Sequence, residues 1–324
     1  MNSADAPGPD CSIDRVEHAM GIIRGRWKVL IIHHLAVHQP RRFSGLERAV
    51  PQVTQKMLIQ QLRALEADGV VRRIVHPEVP PRVEYELTAA GMTTPLSRLS
   101  GRVWIHPGDP DPEAVKPCVA VVADDAGSTV VDAGRSPAYA RSVRAAMAEA
   151  GLPAARRLVY THHHWDHTWG ACAWEAEEIV GHESGAALLS AEARRPWSHA
   201  YLKEQVAAEP GLGPSFTARA RAMGSWADFA VRPPTRTFAD RLVLPGGIEV
   251  RHVGGRHAPD STVVAVPDSG VMLLGDCFYP PPFHLREPGP AGEEIDMGQI
   301  TALVAEGFDW YVDSHSPPWR PPSA

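Results

Sequence analysis

The sequence predicts a chain of two domains: a mainly α module closed by a β-hairpin over residues 1–100, then a larger α/β domain over residues 101–324. Three observations carry this. Residues 1–105 hold 14 Lys and Arg against 10 Asp and Glu, a net +4, whereas residues 106–324 hold 18 against 28, a net −10, which together give the −6 of the whole chain. The first hundred residues show helical spacing followed by two short strands. Beyond them, short apolar runs recur, each closed by Asp, His or a glycine turn. A basic module ahead of an acidic one points to an anionic partner for the first.

In the first module, Ile13 to Ile23 and Trp27 to Leu35 carry apolar residues three and four apart, which predicts two helices, and Phe43-Ser44-Gly45-Leu46 opens a short third. Thr54 is an N-cap for a helix that runs through Glu66 and stops at Asp68-Gly69. Its Leu58, Leu62 and Leu65 form one buried stripe, so Gln55, Lys56, Gln60 and Arg63 face solvent or nucleic acid. Val70 to Val75 and Val83 to Leu87 read as strands around a turn at 77–81. Helices with a terminal hairpin make a winged helix-turn-helix.

This segment resembles the HxlR-type transcriptional regulators through Arg26-Trp27-Lys28, Arg42-Phe43-Ser44-Gly45-Leu46, the run from Leu62 to Val71, and Tyr85-Glu86-Leu87-Thr88-Ala89-Ala90-Gly91. The resemblance implies a homodimer on double-stranded DNA. Thr54, Gln55, Lys56, Gln60 and Arg63 then lie near bases or phosphates, and Arg72, Arg73 and Arg82 on the wing side. It also makes Cys11, just before the first helix, a candidate redox sensor. The dimerising C-terminal helix of that family is short here, because residues 88–100 give way to Gly101-Arg102-Val103-Trp104-Ile105, which reads as the first strand of the second domain.

In the second domain, Thr129-Val130-Val131 ends in Asp132-Ala133-Gly134, and Leu158-Val159-Tyr160 leads into Thr161-His162-His163-His164-Trp165-Asp166-His167. In an extended segment residues i and i+2 share a face, so His162 and His164 can chelate one ion while His163 points away. Asp166 and His167, past the strand end, can reach a second ion. Imidazole and carboxylate without thiolate suit zinc, iron or manganese. Partners follow at later strand ends: His257 after Val250-Arg251-His252-Val253, Asp276 after Val271-Met272-Leu273-Leu274, and His315 after Trp310-Tyr311-Val312. These partners disfavour the reading as a bare surface histidine run.

From Asp132 to His315 the chain resembles the metallo-β-lactamase superfamily, all five of whose motifs can be placed there in order. The resemblance implies an αβ/βα sandwich with metals in a groove at one edge. Position by position, His162, His164 and His257 bind one ion, Asp166, His167 and His315 the second, and Asp276 bridges them. Asp132 steadies the histidine loop without touching metal. Asp166 and Asp276 thereby become the catalytic carboxylates of a hydrolase with two divalent ions, zinc first and iron or manganese as alternatives, whose bridging hydroxide attacks an ester, thioester, lactone or similar small molecule. A histidine at 164 argues against the di-iron, oxygen-reducing branch, which places a glutamate there. Cys277 reads as a core thiol, and His182 and His252 as packing residues. Trp165 and His284 are candidate substrate contacts, with Trp169 a further pocket wall. Residues 184–236 read as helices and loops, rich in aromatics, that form core or a substrate lid.

The longest apolar run, Val29 to Ile32, is far too short for a bilayer, and Met1 to Asp10 has no basic start or apolar core of a secretory leader. Cys11, Cys118, Cys172 and Cys277 show no paired spacing, which fits a reducing cytoplasm. The expected function is a cytoplasmic DNA-binding regulator fused to a metal-dependent hydrolase. The alternatives are a metal or ligand sensor without turnover, and a mononuclear iron thiol or persulfide oxygenase. A nuclease is disfavoured, since the segment between His167 and His257 is too short for a further domain.

Overall fold

The computed structural model describes residues 26–37, 41–68, 70–76, 82–87, 96–109, 114–286 and 289–321. Cys11, the helix expected over Ile13 to Ile23, the turn at 77–81 and residues 88–91 lie outside the described residues. The chain divides into two compact units, residues 1–93 and 94–324.

The first unit contains α1 (Arg26–Val37), a two-residue strand β1 (Arg41–Arg42), α2 (Phe43–Ala49), α3 (Gln55–Ala67), β2 (Val71–His76) and β3 (Arg82–Leu87). The Thr54 hydroxyl accepts the Met57 N–H at 3.3 Å, satisfying one of the first-turn amides that a helix cannot pair internally. Leu58, Leu62 and Leu65 are buried against Ile31, Leu35 and Leu46, as their spacing predicts. The sheet has the order β1-β3-β2, antiparallel throughout. Strand β1 is absent from the sequence reading because Arg41-Arg42 carries neither alternation nor apolar weight. The Lys28 ammonium meets Asp68 at 2.9 Å and ties α1 to the end of α3.

The second unit opens with a hairpin of β4 (Ser97–Ser100) and β5 (Val103–His106). The run from Gly101 to Ile105 therefore supplies the turn and the second strand of this unit rather than its first. There follow β6 (Val119–Val122), β7 (Ser128–Val131), α4 (Pro137–Glu149), β8 (Ala155–Val159), a single turn α5 (Trp165–Thr168), β9 (Glu178–His182), and three helices α6 (Glu183–Glu192), α7 (His199–Ala208) and α8 (Gly213–Ala222). Then come β10 (Arg236–Phe238), β11 (Arg241–Leu244), β12 (Ile248–His252), β13 (Thr262–Val266), β14 (Val271–Gly275), α9 (Met297–Val304) and β15 (Trp310–Asp313).

Two sheets form, ordered β10-β9-β8-β7-β6-β5-β4 and β11-β12-β13-β14-β15. Their inner faces meet through Val103, Val122, Val131 and Val159 on one side and Val250, Val264, Val271 and Leu273 on the other. The outer face of the first sheet packs on α4 through Val119, Leu158, Val143 and Met147. That of the second packs on α9 through Met272, Leu274 and Leu303. The result is an αβ/βα sandwich. It explains why β6, β7, β13 and β14 are buried at every position: with both sheet faces covered, a strand needs continuous apolar residues rather than alternation.

The geometry that positions the site is the pairing of β7 with β8 and of β14 with β15, both parallel. Parallel neighbours end at the same edge, so Asp132, the 161–167 loop, Asp276 and His315 emerge together. The Thr262 N–H donates to the Thr161 carbonyl at 2.8 Å and joins the two sheets at this edge. Gly275 has φ +56, and a Cβ there would stand 2.7 Å from the Thr161 Cβ. Only glycine lets β14 turn so close beneath the histidine loop.

Candidate metal centre

Strand β8 ends at Val159, so His162 and His164 lie in the bend after it and not on an extended strand. The expected alternation does not produce their pairing; the loop does. His164 is the residue before α5, Asp166 and His167 ride on that turn, and the His162 and His164 rings stand 4.5 Å apart. His163 does point away, its Nδ1 2.7 Å from the Asp260 carboxylate.

Two ligand sets are brought together: His162, His164 and His257, and Asp166, His167, Asp276 and His315. In the first, His257 Nε2 lies 3.0 Å from His164 Nδ1 and 3.2 Å from His162 Nε2. In the second, Asp276 Oδ1 lies 3.3 Å from His167 Nε2, and Asp276 Oδ2 lies 3.4 Å from His315 Nε2. Asp276 Oδ2 also stands 3.3 Å from His257 Nε2, so this carboxylate faces both sets. Ligand bonds of about 2.0–2.1 Å in tetrahedral geometry put donor atoms roughly 3.3 Å apart, which is the spacing found. Asp276 Oδ1 and His167 Nε2 are buried and have no hydrogen-bond partner among the described residues. The donor set therefore fits divalent cations.

The outer partners fix which nitrogen faces inward. His167 Nδ1 donates to Asp132 Oδ2 at 2.7 Å, and His257 Nδ1 to the carbonyls of Tyr279 and Pro280 at 3.2 and 3.0 Å. Each leaves Nε2 with its lone pair toward the centre. Asp132 also accepts from the Thr161 N–H at 2.8 Å and from its hydroxyl. It does so from a left-handed backbone, φ +64, a conformation aspartate tolerates better than most residues.

Burial, then the neighbouring imidazoles, lower the pKa of His162 and of His164 well below the ordinary value, so both are neutral donors. Burial alone raises the Asp276 carboxyl, but His167, His315 and His257 around it outweigh that and hold it well below the usual range. The His315 side chain, 23% exposed against 8% or less for Asp166, His167 and Asp276, is the open side of the centre.

A groove of about 1360 Å³ lies over that side. Its walls include Trp165 and His284, together with Tyr201, Phe216 and Arg219 from α7 and α8. Residues 184–236 thus serve as core and as wall. Trp169 does not line the groove: it is fully buried among Trp197, Trp226 and Phe229, at ring separations of 4.9–5.7 Å. Cys277 is a buried thiol in the α9 core. The His182 and His252 rings stack on each other at 3.7 Å, away from the ligand sets. Sequence reasoning missed Asp260, Tyr279 and Arg219. Tyr279, whose hydroxyl donates to Asp313 at 2.6 Å and whose ring stands 5.2 Å from that of His315, follows the motif aspartate by three residues, the one signal available.

On the first unit, Thr54, Gln55, Lys56, Gln60 and Arg63 are all exposed along α3, and Arg73 is exposed on β2. Arg72 is committed to a cross-strand ion pair with Glu86, and Arg82 lies 3.9 Å from Glu84.

Residues 22–97 match the family model for the HxlR-like helix-turn-helix, and residues 115–317 match that for the metallo-beta-lactamase superfamily. Among curated proteins, the uncharacterized HTH-type transcriptional regulator YtcD of Bacillus subtilis is 55% identical over 76 residues, which cover 24% of this chain and 60% of that protein. YvaP of the same organism, described in the same words, is 38% identical over 99 residues, 29% of this chain and 89% of YvaP. Among solved structures, the metallo-beta-lactamase FIM-1 from Pseudomonas aeruginosa in its mono-zinc form is 14% identical, covers 70% of this chain and 91% of its own, and superposes with a TM-score of 0.47. No described helix is long and apolar enough to cross a membrane. The chain belongs to the metallo-beta-lactamase superfamily through residues 115–317, with an HxlR-type helix-turn-helix regulator module at residues 22–97 ahead of it.

Proposed function

We propose that this protein is a cytoplasmic, homodimeric one-component regulator whose helix-turn-helix module binds double-stranded DNA and whose second domain is a dinuclear hydrolase acting on a small ester, thioester or lactone. The observation that carries the hydrolase reading is Asp276, whose two oxygens face both ligand sets at 3.3–3.4 Å. In this reading His162, His164 and His257 hold one ion, Asp166, His167 and His315 the other, and Asp276 both. When bound, a pair of divalent ions makes water a nucleophile at neutral pH and polarises a carbonyl. The residues supply the rest: Asp132 and the Tyr279 and Pro280 carbonyls hold the imidazoles in the donating tautomer, and the buried floor keeps bulk water from the ligands. Zinc suits the nitrogen and carboxylate donors best, with iron or manganese next.

The DNA reading rests on the exposed polar and basic face of α3. We assign Thr54, Gln55, Lys56, Gln60 and Arg63 to base or phosphate contacts and Arg73, with Arg72 and Arg82, to the wing. Phosphate contacts of this kind weaken with salt.

Metal analysis of the purified protein followed by a panel of chromogenic esters, thioesters and lactones tests the hydrolase. Two equivalents of zinc and turnover lost in the His162→Ala/Asp166→Ala double variant are expected. Two metals with no turnover across the panel leaves the sensor, and one iron per chain points to thiol or persulfide oxidation. A gel shift with DNA upstream of the gene tests the regulator, which fails if no complex forms at low salt.

A further inference from the structure

Neither the fold nor metal binding accounts for Arg219. It lies on α8, on the wall of the groove, and is 6% exposed. Among the described residues its guanidinium makes no hydrogen bond and no ion pair, and Nε and Nη1 are sealed from solvent without a partner there. Four aromatic rings surround it, with centroids 4.8 Å (Phe216), 5.2 Å (Trp169), 5.3 Å (Trp197) and 5.9 Å (Trp165) from Cζ. Rings offset the lost hydration of a cation only in part, because they leave the N–H donors in the guanidinium plane unmet.

Burial pulls the Arg219 pKa down to about 10, so the group stays charged at neutral pH. Glu192 is the carboxylate that acts on it most strongly, yet no ion pair forms, and Glu192 Oε2 is itself buried without a partner. Glu192 and Glu209 share the groove wall with Arg195, Arg221 and Arg286, so the wall carries both signs of charge and Arg219 differs from the other arginines in its burial among rings. Of the three nitrogens of its guanidinium fork only Nη2 is not sealed, so a ligand in the groove meets Nη2 first and reaches a second coplanar donor as the surrounding rings give way. A buried cation without a counter-ion is costly, and planar donors of this kind match an oxyanion two bonds at a time.

We propose that Arg219 anchors a carboxylate or phosphate carried by the substrate of the metal centre. This names the substrate class of the site and rests on the hydrolase reading above. Trp165 sets the spacing: its ring packs on Arg219, while its chain neighbours His164 and Asp166 belong to the ligand sets. The anion lies on the α8 side of that indole and the scissile bond on the other.

Two esters with a common leaving group test it on the full chain: 4-nitrophenyl acetate and the half-ester mono(4-nitrophenyl) glutarate. For the wild type, kcat/KM is expected to favour the half-ester by about ten- to hundredfold, the range for a charge-assisted hydrogen-bonded pair. Arg219→Met collapses that ratio through KM, and Arg219→Lys, which keeps the charge without the fork, restores part of it. A readout independent of turnover is tryptophan emission, since the guanidinium touches three indoles. Glutarate or phenyl phosphate, but not neutral glutaramide, should change it in the wild type and not in Arg219→Met; which of the two anions responds assigns carboxylate or phosphate. Equal responses to glutarate and glutaramide, or equal turnover of the two esters, overturn the proposal and leave the hydrolase standing. Glutarate binding that depends on Arg219, with neither ester hydrolysed, keeps the anchor and removes the hydrolase. Should Arg219→Met not fold, the wild-type contrast between glutarate and glutaramide decides alone.

Discussion

Replacing Asp132 with asparagine changes one atom and reverses one hydrogen bond. Oδ1 accepts the Thr161 N–H at 2.8 Å, and Oδ2 accepts His167 Nδ1–H at 2.7 Å. Asparagine keeps the first acceptor and tolerates φ +64, so the backbone is undisturbed. Its amide, however, turns a donor toward the donor on His167. The imidazole relieves this by moving its proton to Nε2, the atom that faces Asp166 and Asp276 at 3.4 and 3.3 Å. One donor of the second set then loses its lone pair. The expected cost is about 10- to 100-fold in metal affinity, together with about 1 kcal/mol of stability as a charge-assisted hydrogen bond gives way to a neutral one. Asp132→Ala is worse: a left-handed alanine costs about 1–2 kcal/mol, and the buried N–H donors of Thr161 and His167, left unmet, add about 1–3 kcal/mol each. Competition with a chromophoric zinc chelator measures the first quantity, and urea denaturation in excess EDTA the second. If Asp132→Asn binds zinc within twofold of the wild type, Asp132 does not control the His167 tautomer and the reasoning fails.

Burial, and then Lys116, hold the His106 imidazole at about 4 against an ordinary 6.5. Between those values the unfolded chain takes up a proton that the folded chain refuses, so stability is full above pH 6.5, falls as pH drops through the window and levels off below 4. The span is up to about 3 kcal/mol; His106→Gln should reduce the pH dependence by that amount in urea titrations at pH 7.5 and 4.5 with EDTA present, leaving the part due to His162 and His164, and an unchanged pH dependence rejects the assignment. Leu62→Ala, at the centre of the first core, should destabilise that unit by about 2–5 kcal/mol, read as an earlier unfolding transition; a loss below 1 kcal/mol contradicts the packing described. Lys56→Ala with Arg63→Ala should weaken DNA binding and reduce the slope of log affinity against log salt by about 2, whereas an unchanged slope removes both residues from the phosphate contacts.

What could be read in advance follows from how local each determinant is. The Thr54 cap and the Leu58-Leu62-Leu65 stripe depend on residues three and four apart, and the sequence states them directly. The apolar runs Val271 to Leu274 and Trp310 to Val312 reflect a sheet covered on both faces, and the carboxylate and imidazole that follow them, Asp276 and His315, mark one edge. Arg219 is the opposite case. Its meaning depends on four rings contributed by residues 165–216 and on the lack of an ion pair among the described residues, neither of which periodicity encodes. The histidine loop lies between: the expectation that His162 and His164 pair and His163 turns away stands, yet its cause is a bend after Val159 and not strand alternation. Trp169 misled for a related reason. It caps the one-turn helix α5, and the rings that enclose it, Trp197, Trp226 and Phe229, come from residues far along the chain that local spacing does not encode.

Four carboxylates at this edge, Asp132, Asp166, Asp276 and Asp313, are buried to similar depth, at 3–6% exposure. A buried carboxylate persists when donors surround it, and by that criterion the four divide. Asp132 accepts from Thr161 and His167, as described. Asp313 Oδ1 accepts the Tyr279 hydroxyl at 2.6 Å and the backbone N–H groups of His315 and Ser316 at 3.2 and 2.9 Å. Asp166 and Asp276 have no such company: their oxygens face imidazole nitrogens at 3.3–4.0 Å, and although burial opposes it, these carboxylates raise the pKa of His167 and His315, so that without metal a proton on those rings answers the charge that a cation would otherwise meet. The same residue type at the same depth therefore does two jobs. Where backbone and hydroxyl donors converge, the carboxylate holds a loop in place; where only imidazole nitrogens converge, a cation can take the place of their protons. Asp132, Asp276 and Asp313 each follow an apolar strand and look alike in sequence, and only the count of donors around them separates scaffold from ligand.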